Sequence, residues 1–232
     1  ARAALGVVAA TACAGIIIGV VTQTGLGLKM GSTLVDFAGG KLFLTLFFTM
    51  LTSLILGMGV PTTANYVITS TIAAPALLMM KIPILAAHLF AFYFGIIADV
   101  TPPVALAAFA GSGIAKSNPL KTGINAFKLA IAAFLVPYVF VYNPALLMID
   151  VNVVSMIVII ATAVVGIVAV ASAVSAFFIT NQSFFERIIF FAGGLLMVIP
   201  GAYTDVIGIA FLLVGFVIQK KKISNVKLGA GV

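Results

Sequence analysis

Apolar residues fill this chain in blocks, and the residues that separate the blocks are helix breakers, hydroxyls and a few charges. Residues 4–23 form the first apolar span, with Gly15 and Gly19 at the four-residue spacing that lets membrane helices approach closely. Residues 24–40 are Gly-rich, carry Lys29 and Asp36, and read as an interfacial loop or short helix. Beyond Lys41 two apolar limbs, 42–56 and 65–80, flank the run Gly57-Met58-Gly59-Val60-Pro61-Thr62-Thr63-Ala64-Asn65. Each limb is about 15 residues, or roughly 23 Å of helix at 1.5 Å per residue. Crossing a bilayer takes about 20 residues. The pattern therefore predicts a re-entrant hairpin over 41–80, with two ordinary spans joined by a tight turn as the alternative. Residues 84–98 run apolar to Asp99-Val100-Thr101-Pro102-Pro103-Val104, and the apolar pattern resumes to residue 115. That predicts a discontinuous spanning helix over 84–115. Further on come a span at 123–142 kinked at Pro137, a long span at 151–180, and two shorter helices at 188–199 and 205–219.

Composition sharpens this into an all-α integral membrane protein. Of 232 residues, 63% are hydrophobic and 7% charged, and the mean hydropathy is +1.33. The net charge of +7 comes from scattered Lys and Arg without a basic stripe, which argues against nucleic acid as a partner. These charges set topology instead. Lys116, Lys121, Lys128 and the tail Lys220, Lys221, Lys222 and Lys227 belong inside, and the Lys-free loop near Asp150 outside. Arg2 then falls inside too, provided 41–80 is re-entrant; Lys29, Lys41 and Lys81 fall outside. The single Cys13 excludes an internal disulfide and reads as a small buried side chain. The opening Ala-Arg-Ala suggests a fragment, or the C-terminal portion of a larger membrane protein whose remainder covers the polar breaks.

The two breaks carry the candidate chemistry. Proline lacks an N–H and displaces the carbonyl four residues back. Pro61, Pro102 and Pro103 thus free the carbonyls of Gly57, Ala98 and Asp99. At membrane depth such groups must be buried in protein or line a wet cavity. With the hydroxyls of Thr62, Thr63 and Thr101 they offer the oxygen set a hard cation needs. The helices that restart after each break point N–H groups at the same region and favour an anion, which Thr62, Thr63 and Asn65 can also contact. The bland alternative is a pair of packed proline kinks. Asp99 is either an ion or proton ligand, or the cap of a helix restarting at Pro102. His88, Phe92, Gly95 and Asp99 share one helix face, and His88 reads as a packed or interfacial imidazole. A phosphate loop is not supported, because Gly57-x-Gly59 lacks the third Gly and the Lys. Zinc has too few ligands with one His and one Cys. Asp99 and Asp205 lack the setting of an intramembrane aspartyl protease. No catalytic residue is assigned, and the chain is not expected to be an enzyme.

The run Leu56–Tyr66, followed by Phe94-Gly95-Ile96-Ile97-Ala98-Asp99-Val100-Thr101-Pro102-Pro103-Val104, resembles the second half of the large permease subunit of TRAP (tripartite ATP-independent periplasmic) transporters. The wording is most similar to the fused TAXI-type permeases. The resemblance covers residues 1–148, the C-terminal repeat of the permease. Residues 151–232 resemble an extra C-terminal membrane segment of some of these proteins. It implies an elevator-type secondary transporter of a bacterial or archaeal inner membrane. Such a carrier is coupled to Na⁺, has no other cofactor, and imports a small organic anion delivered by a periplasmic binding protein. Its partners would be that protein, the N-terminal part of the permease and the lipid bilayer. Carried over, Gly57, Thr62, Thr63, Thr101 and Pro102 sit at a cation site, with Ala98 and Asp99 beside them. Gly59, Pro61, Asn65, Thr101 and Pro103 fall to the solute. One departure is Ala105, where many relatives have Gly; another is Asp99, where a neutral residue is common in the other branches. The alternatives are a proton-coupled carrier centred on Asp99, a non-transport membrane scaffold or assembly protein, and a channel.

Overall fold

A computed structural model describes residues 12–229 except 14, 18, 22, 150, 151 and 200, and gives only the backbone of 202 and 223–229. The predicted first span, 4–23, lies largely outside these residues, as does Arg2. The described residues are helical, apart from turns and one isolated bridge between Phe177 and Asn181. They form two compact units, Ala1–Phe127 and Lys128–Val232.

In the first unit, α1 (Leu26–Phe37) is followed by α2 (Leu42–Gly57) and α3 (Thr62–Ile72), which flank the Gly57–Asn65 run. Then come α4 (Ala74–Met79), α5 (Ile84–Ile97), a 3₁₀ turn (Ala98–Val100) and α6 (Leu106–Ile114). The Gly-rich 24–40 stretch is thus the short helix rather than the loop. The apolar cluster of Val21, Ala64, Ile68 and Ile72 holds α3 against the chain N-terminal to α1, with Met30, Leu56 and Val60 packed on it. Close approach occurs at Gly27 and Gly31, not at Gly15 and Gly19. A Cβ on Gly27 would strike the Thr71 carbonyl, and one on Gly31 would lie 3.0 Å from the Ala76 nitrogen. Gly15 and Gly19 have nothing within 4 Å. Cys13 is exposed rather than buried.

The second seam of this unit joins α2 to α5. Thr45, Thr49, Ser53 and Gly57 follow one another at intervals of four along α2, and all are buried. Ala87, Ala91 and Gly95 do the same on α5. A Cβ at Gly57 would collide with the Gly95 backbone, so main chain meets main chain at this point. Dispersion between closely packed atoms is the main force available between helices in lipid, and small residues maximise it.

The helices that follow include α7 (Pro119–Ala130), a 3₁₀ turn (Ile131–Phe134) and α8 (Leu135–Tyr142). Pro137 removes the N–H that would bond to Ala133, and the helix is 3₁₀ over Ile131–Phe134, just upstream of the proline. In the second unit α9 (Val153–Ser175), α10 (Phe184–Val198) and α11 (Ala202–Gly229) make a three-helix bundle. Glycines zip it: a Cβ on Gly166 would lie 2.8 Å from the Gly194 carbonyl, and one on Gly208 3.0 Å from the Gly193 carbonyl. The last helix, expected to stop near residue 219, runs 28 residues because Lys220–Lys222 are good helix formers and no breaker intervenes. Among the described residues, Pro119–Tyr142, Val153–Ser175 and Tyr203–Lys222 are long and apolar enough to cross a membrane.

Candidate functional site

The tip between α2 and α3 is shaped by two residues. Gly59 adopts φ 75°, a left-handed conformation costly for any residue with a Cβ. Pro61 follows in an extended conformation as the N-cap of α3 and accepts from the Asn65 N–H at 2.9 Å. Gly59, Pro61, Thr62 and Thr63 are exposed, and the hydroxyls of Thr62 and Thr63 make no hydrogen bond among the described residues. The first turn of α3 therefore presents its free N–H groups and two hydroxyls together.

Asn65 lies beneath this tip and is 1% exposed. Its Nδ2 donates to the Gly95 carbonyl at 2.7 Å and, more weakly, to the Gly57 carbonyl at 3.4 Å. One amide thus serves the carbonyl that Pro61 releases and a carbonyl on α5. Both acceptors are carbonyls, which fixes the amide orientation. The Oδ1 atom, against Gly95, is buried without a hydrogen-bond partner. Asn65, a residue expected near the solute, ties the hairpin to α5 through this amide.

The second break departs from the expectation in one respect. The residue before a proline is driven into an extended conformation, and Thr101 adopts φ −104°, ψ 123°. Helix therefore does not resume at Pro102. It resumes at Leu106, after a cis Pro102–Pro103 bond and a left-handed Ala105 at φ 36°, ψ 44°. Asp99 sits in the 3₁₀ turn and is not the N-cap of α6, whose N-cap is Ala105. The Ala98 carbonyl, expected to be free, accepts from the Thr101 N–H at 3.1 Å. The Thr101 hydroxyl donates to the Ile97 carbonyl at 2.8 Å, which leaves its oxygen lone pairs available. Thr101 and Ala98 are buried, Asp99 and Pro102 half-buried and Pro103 exposed.

Fold brings these two breaks into one neighbourhood. Residues of α2 and of α6 both contact the Ala98–Val100 turn. Gly57, Asn65 and Gly95 meet at bonding distance. His88 lies away from the break: its Nδ1 is 3.2 Å from the Tyr66 hydroxyl, and Tyr66 packs edge-on against Phe92 at 5.3 Å. That is the packed imidazole expected of it. Thr49 and Ser53 were not anticipated. Both are fully buried, and Thr49 Oγ1 and Ser53 Oγ have no hydrogen-bond partner among the described residues. The available signal was the four-residue spacing that leads from Thr45 to Gly57 at the tip. Among the described residues no cluster of His, Cys, Asp and Glu could hold a metal ion through side chains. Any cation at the breaks would rely on carbonyls and hydroxyls.

Against known proteins, residues 1–154 match the family described as tripartite ATP-independent periplasmic transporter, DctM component. No match was found among curated proteins or among solved structures.

Proposed function

Because this chain belongs to the DctM-component family of tripartite ATP-independent periplasmic transporters, we propose that it forms part of an elevator-type, Na⁺-coupled carrier of the fused TAXI type. The cargo is a small organic anion handed over by a periplasmic binding protein across a bacterial or archaeal inner membrane. The family supplies the class: a multi-pass membrane transport component that works with a periplasmic protein. What supports the finer reading is the meeting of two interrupted helices. Broken helices at membrane depth set carbonyl ends, which favour cations, beside N–H ends, which favour anions.

Each residue has a task in this reading. The Gly57 carbonyl, the Thr62, Thr63 and Thr101 hydroxyls, and the backbone from Ala98 to Pro102 supply oxygen ligands to Na⁺. The open N–H groups of α3, with the tip residues Gly59 and Pro61 and, in this reading, Pro103, receive the anion. A cation bound between the breaks offsets the charge of an anion at the same helix ends, so each raises the affinity for the other; that mutual effect is the coupling.

Uptake by the whole permease in proteoliposomes, with its binding protein, tests the proposal. Uptake should need Na⁺; Thr101→Val should abolish the Na⁺ stimulation and Thr101→Ser should keep it. Transport indifferent to Na⁺ in the unaltered protein rules the coupling out. A second reading, coupling to protons through Asp99, gains support because this carboxylate has no capping duty at α6. It predicts that Asp99→Asn stops uptake driven by a pH gradient alone.

A further inference from the structure

The three-helix bundle lies mostly beyond the matched family region and carries a feature of its own. Between the end of α9 and the start of α10 runs a groove of about 420 Å³. Its walls are apolar residues of α9 and α10 such as Ala173, Ile188 and Ala192, with Phe184 at the start of α10 and Ile131 of the 3₁₀ turn before α8; Arg187 is the one charged residue in the lining. We propose that this groove binds an anionic phospholipid, with an acyl chain along the apolar wall and the phosphate at the Arg187 guanidinium.

Arg187 Nε donates to the Ala173 carbonyl at 2.8 Å, in the last turn of α9. A purely structural role, closing that helix end, uses this one bond. It also fixes the plane of the guanidinium, and the terminal nitrogens make no hydrogen bond among the described residues. A planar, pre-positioned donor fork matches phosphate geometry. The neighbouring acid does not neutralise it. Glu186 points instead to Ser183 and to Lys222, whose Nζ is 3.6 Å away.

Surrounding residues fit the same occupant. Lys222 also donates to the Asn181 carbonyl at 2.8 Å, which fixes the basic end of α11 beside the α9–α10 loop. Lys220 and Lys221 are exposed on that helix end. Phe184 and Phe185, at the start of α10, are 71% and 78% exposed. Along α10 the exposed rings of Phe184 and Phe185 come first, then Arg187, then the apolar wall of Ile188, Phe191 and Ala192, so polar and aromatic groups sit at one end of the groove and hydrocarbon at the other. A basic residue beside an anionic leaflet contributes about 1 kcal/mol, a factor of about five in affinity. The soluble alternative, a free phosphate ester, would use the guanidinium and leave the groove unfilled.

The test uses the full chain in detergent, native mass spectrometry, and phosphatidylglycerol and phosphatidylcholine of identical acyl chains. Phosphatidylglycerol should be retained about fivefold better. Arg187→Gln should erase that preference, while Lys220→Gln with Lys221→Gln should preserve most of it. Ala192→Trp fills the groove with the guanidinium in place and should release the bound phosphatidylglycerol, which decides the matter even if Arg187→Gln fails to fold. Equal retention of the two lipids overturns the proposal. So does a preference that survives Arg187→Gln, or displacement by millimolar glycerol phosphate.

Discussion

Asn65 and Gly95 stand 30 residues apart in the chain and are joined by a 2.7 Å hydrogen bond from the Asn65 amide to the Gly95 carbonyl. That bond links the hairpin to the helix leading into the second break. Asn65→Asp keeps the shape, removes the donor and sets a carboxylate against two carbonyls. A buried carbonyl left unpaired costs about 1–3 kcal/mol, and a charged neighbour more. Thermal unfolding in detergent should show a clear loss of stability for Asn65→Asp, and a smaller one for Asn65→Ala. Unchanged melting for both variants would falsify the linking role.

The Gly57–Gly95 contact leaves no room for a methyl group. Overpacking of this kind typically costs about 1–3 kcal/mol. Gly57→Ala and Gly95→Ala should each lower the melting temperature. Gly15→Ala and Gly19→Ala, which meet nothing within 4 Å, should leave it nearly unchanged. A reversed order would show that the seam is misplaced.

Ala105 is the clearest point of backbone strain at the site. It is fully buried and left-handed at φ 36°, where a Cβ costs about 1–2 kcal/mol. Ala105→Gly should stabilise the protein by about 1 kcal/mol, reduced by the added freedom of glycine in the unfolded chain. Denaturant titration of the two forms reads the difference, and a destabilised glycine variant would remove the strain argument.

Stability of the three-helix bundle should depend on pH through Glu186. Burial alone would raise its carboxyl; hydrogen bonds from the Ser183 backbone and side chain, the charge of Lys222 and the Gln219 side chain outweigh it. The group is held below its ordinary 4.5. A value lower in the folded state than in the unfolded one gives stability that is complete above the unfolded value and lost as pH falls through the folded one. Melting temperature should therefore fall on acidification below about 4.5, and Glu186→Gln should flatten that slope. Ser183→Ala removes one half of the capping box and should cost about 1 kcal/mol at neutral pH.

Both breaks were legible in the sequence because proline and glycine act locally. Pro61 ends one limb and Pro102 with Pro103 interrupts the next, wherever the rest of the chain lies. The restart at Leu106 was less legible, since an extended Thr101, a turn over Pro102–Val104 and a left-handed Ala105 come between the two helices. Close packing at Gly27 and Gly31 rather than Gly15 and Gly19 depends on Thr71 and Pro75 arriving from elsewhere in the chain. Spacing alone cannot tell a glycine with a neighbour from one without. That Asn65 pairs with Gly95, 30 residues away, is visible only in three dimensions. The length of α11 shows a different confusion, of the end of an apolar run with the end of a helix.

The seam between α2 and α5 brings small side chains and bare backbone together, from Thr45 to Gly57 on one side and from Ala87 to Gly95 on the other. Such a joint has few rotamers with which to absorb a displacement. Sliding by less than a full helical turn would set methyl groups against carbonyls along its whole length. The seam therefore favours α2 and α5 staying together as one rigid pair.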